Sequence, residues 1–207
     1  MISTGIGNKR ILVVNGSYRE GGVTDQLIAL VLEQLPAEGV ETEVIKLREY
    51  PIEFCLNCRE CMQLPGAAPG KCVLDDGMTS LVERIEAADA YILAAPTNFG
   101  SVSAVFKRFM ERLAVYGYWP WGQPAPDYRK AGLTPRKALL ISSSAAPGLM
   151  GRWLYASGRQ LRTVAKIIGA KPVGLLFSGM ASQQAQPRLS PRTVTAAAAM
   201  VRKLLSQ

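Results

Sequence analysis

The stretch Ile11-Leu12-Val13-Val14-Asn15-Gly16-Ser17-Tyr18-Arg19-Glu20-Gly21-Gly22-Val23-Thr24 decides the fold. Residues 11–14 form a short apolar run rich in β-branched side chains, which suits a strand buried on both faces. Asn15-Gly16-Ser17 stops the run, and Thr24 opens a segment in which Leu27, Leu30, Val31 and Leu35 recur at helical spacing. The order is strand, loop, helix N-terminus. Such a junction gathers backbone N–H groups and the positive end of the helix dipole, which suits a phosphate. Ser17 and Thr24 offer hydroxyls, Val23 lies beside them, and Arg19 offers a cationic fork. An ordinary strand-to-helix connection with Thr24 as N-cap accounts for the same residues. The loop lacks GxGxxG, so it is no dinucleotide fingerprint. Gly66–Cys72 misses a Walker loop by one residue and has Cys where Ser or Thr belongs. The chemistry of the opening loop suits one terminal phosphate.

Outward from this stretch, strands and helices alternate. Pro36 and Gly39 close the first helix, and Glu41–Leu47 reads as a second strand. Residues 51–75 hold all four cysteines with no clear period, so a long functional loop or small insert is expected there. A helix begins at Asp76. Ala90–Ala95 is a third strand, stopped by Pro96, and a helical stripe runs from Val102 to Leu113. Residues 116–135, dense in aromatics, Pro and Gly, read as an ordered excursion. Its Tyr116, Tyr118, Trp119 and Trp121 suit either a lid or dimer contact, or satellite core. Lys137–Ser142 is a fourth strand, followed by a helix to about Gly169, a fifth strand at Val173–Phe177 and a closing helix at Thr193–Leu205. This pattern predicts an α/β fold: a doubly wound five-stranded parallel sheet with helices on both faces. With strand order 2-1-3-4-5, the loops 15–24, 95–101 and 142–151 leave adjacent strands and line one site.

The length of 207 residues suits one domain spanning 1–207. No apolar run is long enough to cross a bilayer. Met1–Arg10 lacks the apolar core of a secretory signal, so the expected location is the cytoplasm. Four cysteines there are reduced thiols or ligands rather than disulfides. The net charge of +8 is unevenly spread: residues 1–127 hold 11 Lys/Arg against 16 Asp/Glu, and residues 128–207 hold 13 Lys/Arg and no acid. The basic residues are spaced singly among apolar ones. They read as a solvated face, or as a positive field that draws in an anionic nucleotide; no nucleic-acid motif accompanies them. The absence of histidine excludes His-dependent triads and His-based metal sites.

The second loop, Ala95-Pro96-Thr97-Asn98-Phe99-Gly100-Ser101, could meet the edge of a flat heterocycle through its backbone, or could simply end in a Ser101 N-cap. Cys55, Cys58 and Cys61 form C-x2-C-x2-C, and Cys72 follows after ten residues. A [4Fe–4S] cluster, zinc and unligated thiols all remain open on that spacing.

NGSYREGGVT, PIEFCLNCRECM, KCVLDDGM and AAPTNFGSVSAVFKRFMER, in this order between residues 10 and 115, together resemble the flavodoxin-like family of NAD(P)H-dependent FMN reductases and iron–sulfur flavoproteins. The resemblance implies FMN, with its phosphate held by Ser17, Arg19 and Thr24. It implies that Pro96, Thr97, Asn98, Phe99, Gly100 and Ser101 flank the isoalloxazine and that Ser143, Ser144, Ala145 and Gly148 close the other side. Family members often carry an aromatic residue where Asn98 stands, so the resemblance implies either weaker stacking on the flavin or stacking supplied by Phe99 or a partner subunit. The third loop has Ala-Ala-Pro-Gly in place of a glycine pair. NADPH or NADH is the implied donor, a quinone, flavin or similar small molecule the acceptor, and a homodimer or homotetramer the assembly. An electron-transfer iron–sulfur flavoprotein with its cluster on Cys55, Cys58, Cys61 and Cys72 is the alternative. A non-enzymatic flavin-binding or thiol redox-sensing module is a third.

Overall fold

A computed structural model describes residues 8–147, 151, 153–181 and 189–206. The apolar run 11–14 sits inside β1 (Lys9–Asn15), followed by α1 (Val23–Glu33) and β2 (Val40–Lys46). After the cysteine-containing segment come α2 (Gly77–Ala87), β3 (Ala90–Asn98), the short β4 (Ser101–Val102) and α3 (Ala104–Arg112). The aromatic excursion carries a two-stranded antiparallel ribbon of β5 (Gly117–Tyr118) and β6 (Asp127–Tyr128). The chain then forms β7 (Arg136–Ser143), α4 (Ser157–Ile167), β8 (Ala170–Ser178) and α5 (Pro191–Leu205).

Five strands form a parallel sheet in the order β2-β1-β3-β7-β8, and β4 folds back antiparallel on β3. Counting only the five main strands, this is the expected order 2-1-3-4-5. Alternation along β1 divides the core, because successive strand residues face opposite sides. Leu12 and Val14 join Leu81 and Ile85 of α2, Phe106 and Phe109 of α3, and Leu161 and Val164 of α4. Ile11 and Val13 join Leu27 and Val31 of α1, and Val201 and Leu204 of α5. Helices therefore cover both faces. Burying each such Leu, Ile or Phe contributes about 1.5–3 kcal/mol.

Several boundaries differ from the sequence expectation. β3 runs past Pro96 to Asn98. Its neighbour β1 has ended by the Asn15–Ala94 pair, so Pro96 sits where pairing continues on the β7 side only, a position that tolerates a missing N–H. α3 starts at Ala104 rather than Val102, and its N-cap is Ser103, whose Oγ accepts from Phe106 N at 3.4 Å. α5 starts two residues early because Ser190 caps it and Pro191 occupies its first turn. Gly169, at φ +76°, ends α4 as a left-handed C′ residue.

Candidate active site

β1, β3 and β7 are neighbours, so the loops leaving their C-terminal ends meet. They enclose a cleft of about 390 Å³ lined by Ser17, Tyr18, Arg19, Gly22, Val23, Thr24, Pro96, Thr97, Asn98, Ser143, Ser144, Ala145 and Ala181. Ten expected residues line this cleft: Ser17, Arg19, Val23, Thr24, Pro96, Thr97, Asn98, Ser143, Ser144 and Ala145. Phe99, Gly100 and Ser101 do not, and Gly148 lies outside the described residues. Tyr18, Gly22 and Ala181 are additions. The first two sit inside the stretch already singled out; Ala181, beyond β8, carries no sequence signal.

The first loop is held from beneath. The Asn15 side chain accepts from Ser17 N at 2.8 Å and donates to Asp25 Oδ1 at 2.8 Å. Gly16 N donates to Ala94 O at 2.7 Å, and the Ser103 hydroxyl donates to Gly16 O. A Cβ at Gly16 would stand 2.7 Å from the Phe106 side chain, so only glycine lets the loop lie this close to α3. The expectation of a Thr24 N-cap is corrected. Gly22 is the N-cap of α1 and offers no side-chain hydrogen bond. The first-turn N–H groups are thus without a side-chain cap at the cleft, the arrangement that receives anions. Thr24 is buried inside the helix, and its hydroxyl lies 3.0 Å from that of Ser143, tying the first loop to the third.

The second loop is a hairpin. Asn98 pairs with Ser101 across Phe99 (φ +47°) and Gly100 (φ +75°). Two positive φ values match a type I′ turn, and a phenylalanine there is strained. The turn leaves Phe99 fully exposed at the cleft rim. Ser101 is no N-cap: its hydroxyl donates to Gln160 Oε1 at 3.0 Å. Thr97 Oγ1 lies 2.7 Å from Ser157 Oγ, and Ala156 N donates to Gly100 O at 2.7 Å, so the start of α4 supports the loop.

Cys55, Cys58, Cys61 and Cys72 all line a second, small cavity of about 30 Å³. Among the described residues, no three Cys, Asp or Glu side chains are grouped tightly enough to hold one metal ion, so the thiols surround the cavity rather than converge on a point. Burial, then the neighbouring Cys72, Cys55 and Cys58, pushes the Cys61 thiol up to about 11. The loop is closed by Arg112 of α3, 2% exposed. Its guanidinium donates to both Asp76 carboxylate oxygens, to Glu53 O at 2.9 Å and to Cys72 Sγ at 3.5 Å. Asp76, the N-cap of α2, also accepts from Glu53 N at 2.7 Å and Met78 N at 3.0 Å. One ion pair thus ties the entry of the segment to its exit.

Burial pushes the Asp76 carboxyl up, but the hydrogen bonds from Arg112, Glu53 and Met78 and the Arg112 charge outweigh it and hold the group below the usual carboxylate range. A depressed carboxyl stabilises the fold above its unfolded value near ~3.9, and that stability is lost as pH falls through the folded value. Asp76→Asn is expected to lower stability at neutral pH and to flatten the fall in stability below about pH 4. Urea unfolding at pH 7 and pH 3 checks this; a wild-type acid limb in the variant contradicts it.

The aromatic excursion packs on the cysteine loop, and none of its residues lines the cleft. Trp119 and Trp121 stack on the Arg59 guanidinium at 3.8 and 4.4 Å, and Trp119 N donates to Met62 O at 2.8 Å. Arg129, 8% exposed, donates to five carbonyls: Val115, Gly117, Gly66, Cys61 and Leu64. The basic C-terminal half is therefore not simply a solvated face. Arg129 and Arg136 serve backbone carbonyls in the interior, whereas Arg159, Arg162 and Lys166 of α4 are exposed.

Among the described residues, no helix is long and apolar enough to cross a membrane. An iron–sulfur flavoprotein of Methanocaldococcus jannaschii is 33% identical over 103 residues, 50% of this chain and 51% of that protein. The chain spans about half the length of the curated relatives it matches. The NAD(P)H:quinone oxidoreductase from Methanothermobacter marburgensis aligns with a TM-score of 0.62 at 20% identity, covering 96% of each chain. An FMN-dependent NADH-azoreductase from Bacillus anthracis, solved in complex with FMN, aligns with a TM-score of 0.57 at 15% identity over 94% of this chain and 96% of that one. At these identities the two structures establish a shared flavodoxin-like fold. Residues 9–176 match the family described as NADPH-dependent FMN reductase, and the chain belongs to that family.

Proposed function

We propose that this protein is an FMN-dependent oxidoreductase that takes electrons from NADPH or NADH and passes them to a quinone, a flavin or a similar small acceptor. The observation that carries the reading is the cleft itself, where ten of the residues expected to hold FMN lie along one wall-to-wall opening. Its chemistry fits the cofactor. The helix N-terminus without a side-chain cap, with Ser17, Arg19 and Thr24, suits the phosphate. Pro96, Thr97 and Asn98 on one side, and Ser143, Ser144 and Ala145 on the other, offer a slot for the ring. When bound, FMN supplies the redox chemistry; the protein binds, orients and shields it. Among the described residues, the lining contains no carboxylate, lysine or histidine, so a hydroxyl group or solvent is the proposed source of any proton.

Arg19→Ala is expected to raise the FMN dissociation constant about tenfold, the scale of one charge-assisted hydrogen bond, while apoprotein unfolding stays as in the wild type. Fluorescence titration measures the first and thermal unfolding the second; unchanged affinity refutes the phosphate assignment. Stopped-flow reduction with NADPH and NADH identifies the donor.

The assembly fits the same reading. Tyr18, Phe99, Trp153 and Leu154 are exposed, and residues 153–156 lead to the contact with Gly100. A second subunit over this rim would cover them and could stack on the flavin. Phe99→Asp is expected to shift a homodimer or homotetramer toward monomer in sedimentation velocity, and a wild-type monomer sinks this part of the reading. Cytoplasmic location remains part of the proposal.

A second reading is carried by the four cysteines around one cavity. Four thiolates suit a [4Fe–4S] cluster, which would add one-electron transfer when bound. The cavity is near the volume of one water, so loading requires the loop to move outward, and Phe54 and Leu56 beside Cys55 are exposed. Iron and sulfide analysis after anaerobic purification tests this; a flavin-loaded chain that takes up neither leaves the cysteines as thiols.

A further inference from the structure

We propose that Arg48 is a positioning residue of the phosphate loop: it turns the Ser17–Tyr18 peptide so that its N–H serves the cleft, and it offsets the charge of Asp25. The inference rests on the FMN reading and deepens it at a residue outside the cleft lining.

Arg48 follows β2 by two residues. β2 pairs with β1 as far as Asn15–Lys46, so the chain leaving β2 runs beside the loop leaving β1. Leu47 N donates to Asn15 O at 2.9 Å and fixes this approach. The Arg48 side chain is 9% exposed and reaches into residues 17–25. Its Nη1 donates to Ser17 O at 3.4 Å and lies 3.6 Å from Asp25 Oδ2. Nη2 meets Glu20 Oε1 at 3.3 Å, and Nε meets Glu49 Oε1 at 3.2 Å.

The first effect is on direction. In a trans peptide the C=O and N–H point opposite ways. Holding Ser17 O toward Arg48 therefore turns the Tyr18 N–H away from Arg48. Tyr18 lines the cleft, and its N–H has no hydrogen-bond partner among the described residues. It joins the first-turn N–H groups of α1 as a donor for an anion.

The second effect is on charge. Asp25 sits in the first turn of α1, where its carboxylate accepts from Gly21 N at 2.9 Å and from Asn15 Nδ2 at 2.8 Å. That carboxylate shapes the loop, but its charge repels a phosphate arriving at the same helix end. Glu20 adds to the repulsion. Arg48 meets both acids, and a cation so far withdrawn from water is screened less than an exposed one. With Arg19, it balances Glu20 and Asp25. The loop keeps the carboxylate that shapes it without presenting net negative charge to the cofactor.

The test titrates apoprotein with FMN and with riboflavin, which lacks the phosphate. The wild type is expected to bind FMN. Arg48→Met is expected to weaken FMN about tenfold, the scale of one charge-assisted interaction, and to leave riboflavin affinity unchanged. Arg48→Lys, which keeps the charge, should retain most of the FMN affinity. The paired change Arg48→Met with Asp25→Asn removes the carboxylate together with its counter-charge, and should recover part of the loss. A bracing role alone predicts that the pair binds FMN no better than Arg48→Met. Should Arg48→Met not fold, Arg48→Gln takes its place, alone and in the pair, with a loss in the same direction. If the wild type binds FMN and the Arg48 variants bind it equally well, or lose both flavins alike, or the pair recovers nothing, the proposal is overturned and the FMN reading stands. If the wild type takes up no FMN, the FMN reading fails and takes this proposal with it.

Discussion

Arg129→Ala is expected to lower the unfolding free energy by about 3–5 kcal/mol, the scale for removing a buried charged donor from a satisfied network. The guanidinium links Cys61, Leu64 and Gly66 of the cysteine segment to Val115 and Gly117 at the start of the aromatic excursion. Alanine would leave all five carbonyls without these donors. Gly70 packs into the same junction: its N–H donates to Val115 O at 2.7 Å, and a Cβ there would stand 1.8 Å from Cys61 O. The cysteine loop and the excursion should therefore loosen together. Urea unfolding measures the loss, and thiol labelling of the folded chain should accelerate at the four cysteines. A loss under about 1 kcal/mol, the range of an ordinary surface change, would falsify the view that Arg129 organises this region.

The second large effect is on the cleft. Gly16→Ala places a methyl 2.7 Å from the Cβ and Cδ2 of Phe106. Phe106 is fully buried, and the Phe109 ring, packed edge-to-face with a centroid separation of 5.6 Å, limits its retreat. The loop must move off α3. Overpacking of this kind costs about 1–3 kcal/mol. The larger consequence is positional, because Ser17, Arg19 and the start of α1 follow Gly16 directly. A displacement near 1 Å in a binding constellation costs about 100-fold, so FMN affinity should fall on that scale while the sheet remains folded. Isothermal titration with FMN and far-ultraviolet circular dichroism separate the two effects. Wild-type affinity in Gly16→Ala would contradict the close packing as the determinant of loop position.

Much of the architecture was legible because it is written in local periodicity. The run 11–14, the stripes of α1 and α5 and the glycine after α4 each carry their own signal. The three loops of the cleft were legible for the same reason: a doubly wound sheet brings adjacent strand ends together whatever the loops contain. What escaped depended on partners far away in sequence. Arg112 looks like the polar side of an amphipathic helix, yet its carboxylate lies 36 residues earlier. Arg129 looks like one more solvated cation in a basic half, and its carbonyls lie up to 68 residues away. The type I′ turn at Phe99-Gly100 was hidden because phenylalanine rarely takes a positive φ. Pro96 reads as a strand terminator in the sequence, although the end of β1 before it leaves its N–H side unpaired and lets the strand continue. The aromatic cluster was read as a lid or dimer contact or as satellite core; its attachment to Arg59 could not be read from spacing.

The arrangement separates two kinds of chemistry. One cleft, at the strand ends, offers hydroxyls, backbone donors and an arginine for an anionic planar cofactor. A second, small cavity, between the cysteine segment and Ala114, is lined by four thiols and the side chain of Arg59. The first is built from elements of the fold; the segment around the second is braced by Arg59, Arg112 and Arg129, whose partners lie far away in sequence.

The central claim, that the cleft between residues 17–24, 96–98 and 143–145 holds FMN, is tested most directly by one titration. Anaerobic apoprotein is titrated with FMN while flavin fluorescence is followed, and NADPH or NADH is then added. The account predicts saturation at one FMN per chain, an affinity about 100-fold weaker in Gly16→Ala, and bleaching of the bound flavin by at least one of the two nucleotides. A chain that carries no flavin and takes up none from added FMN would contradict it.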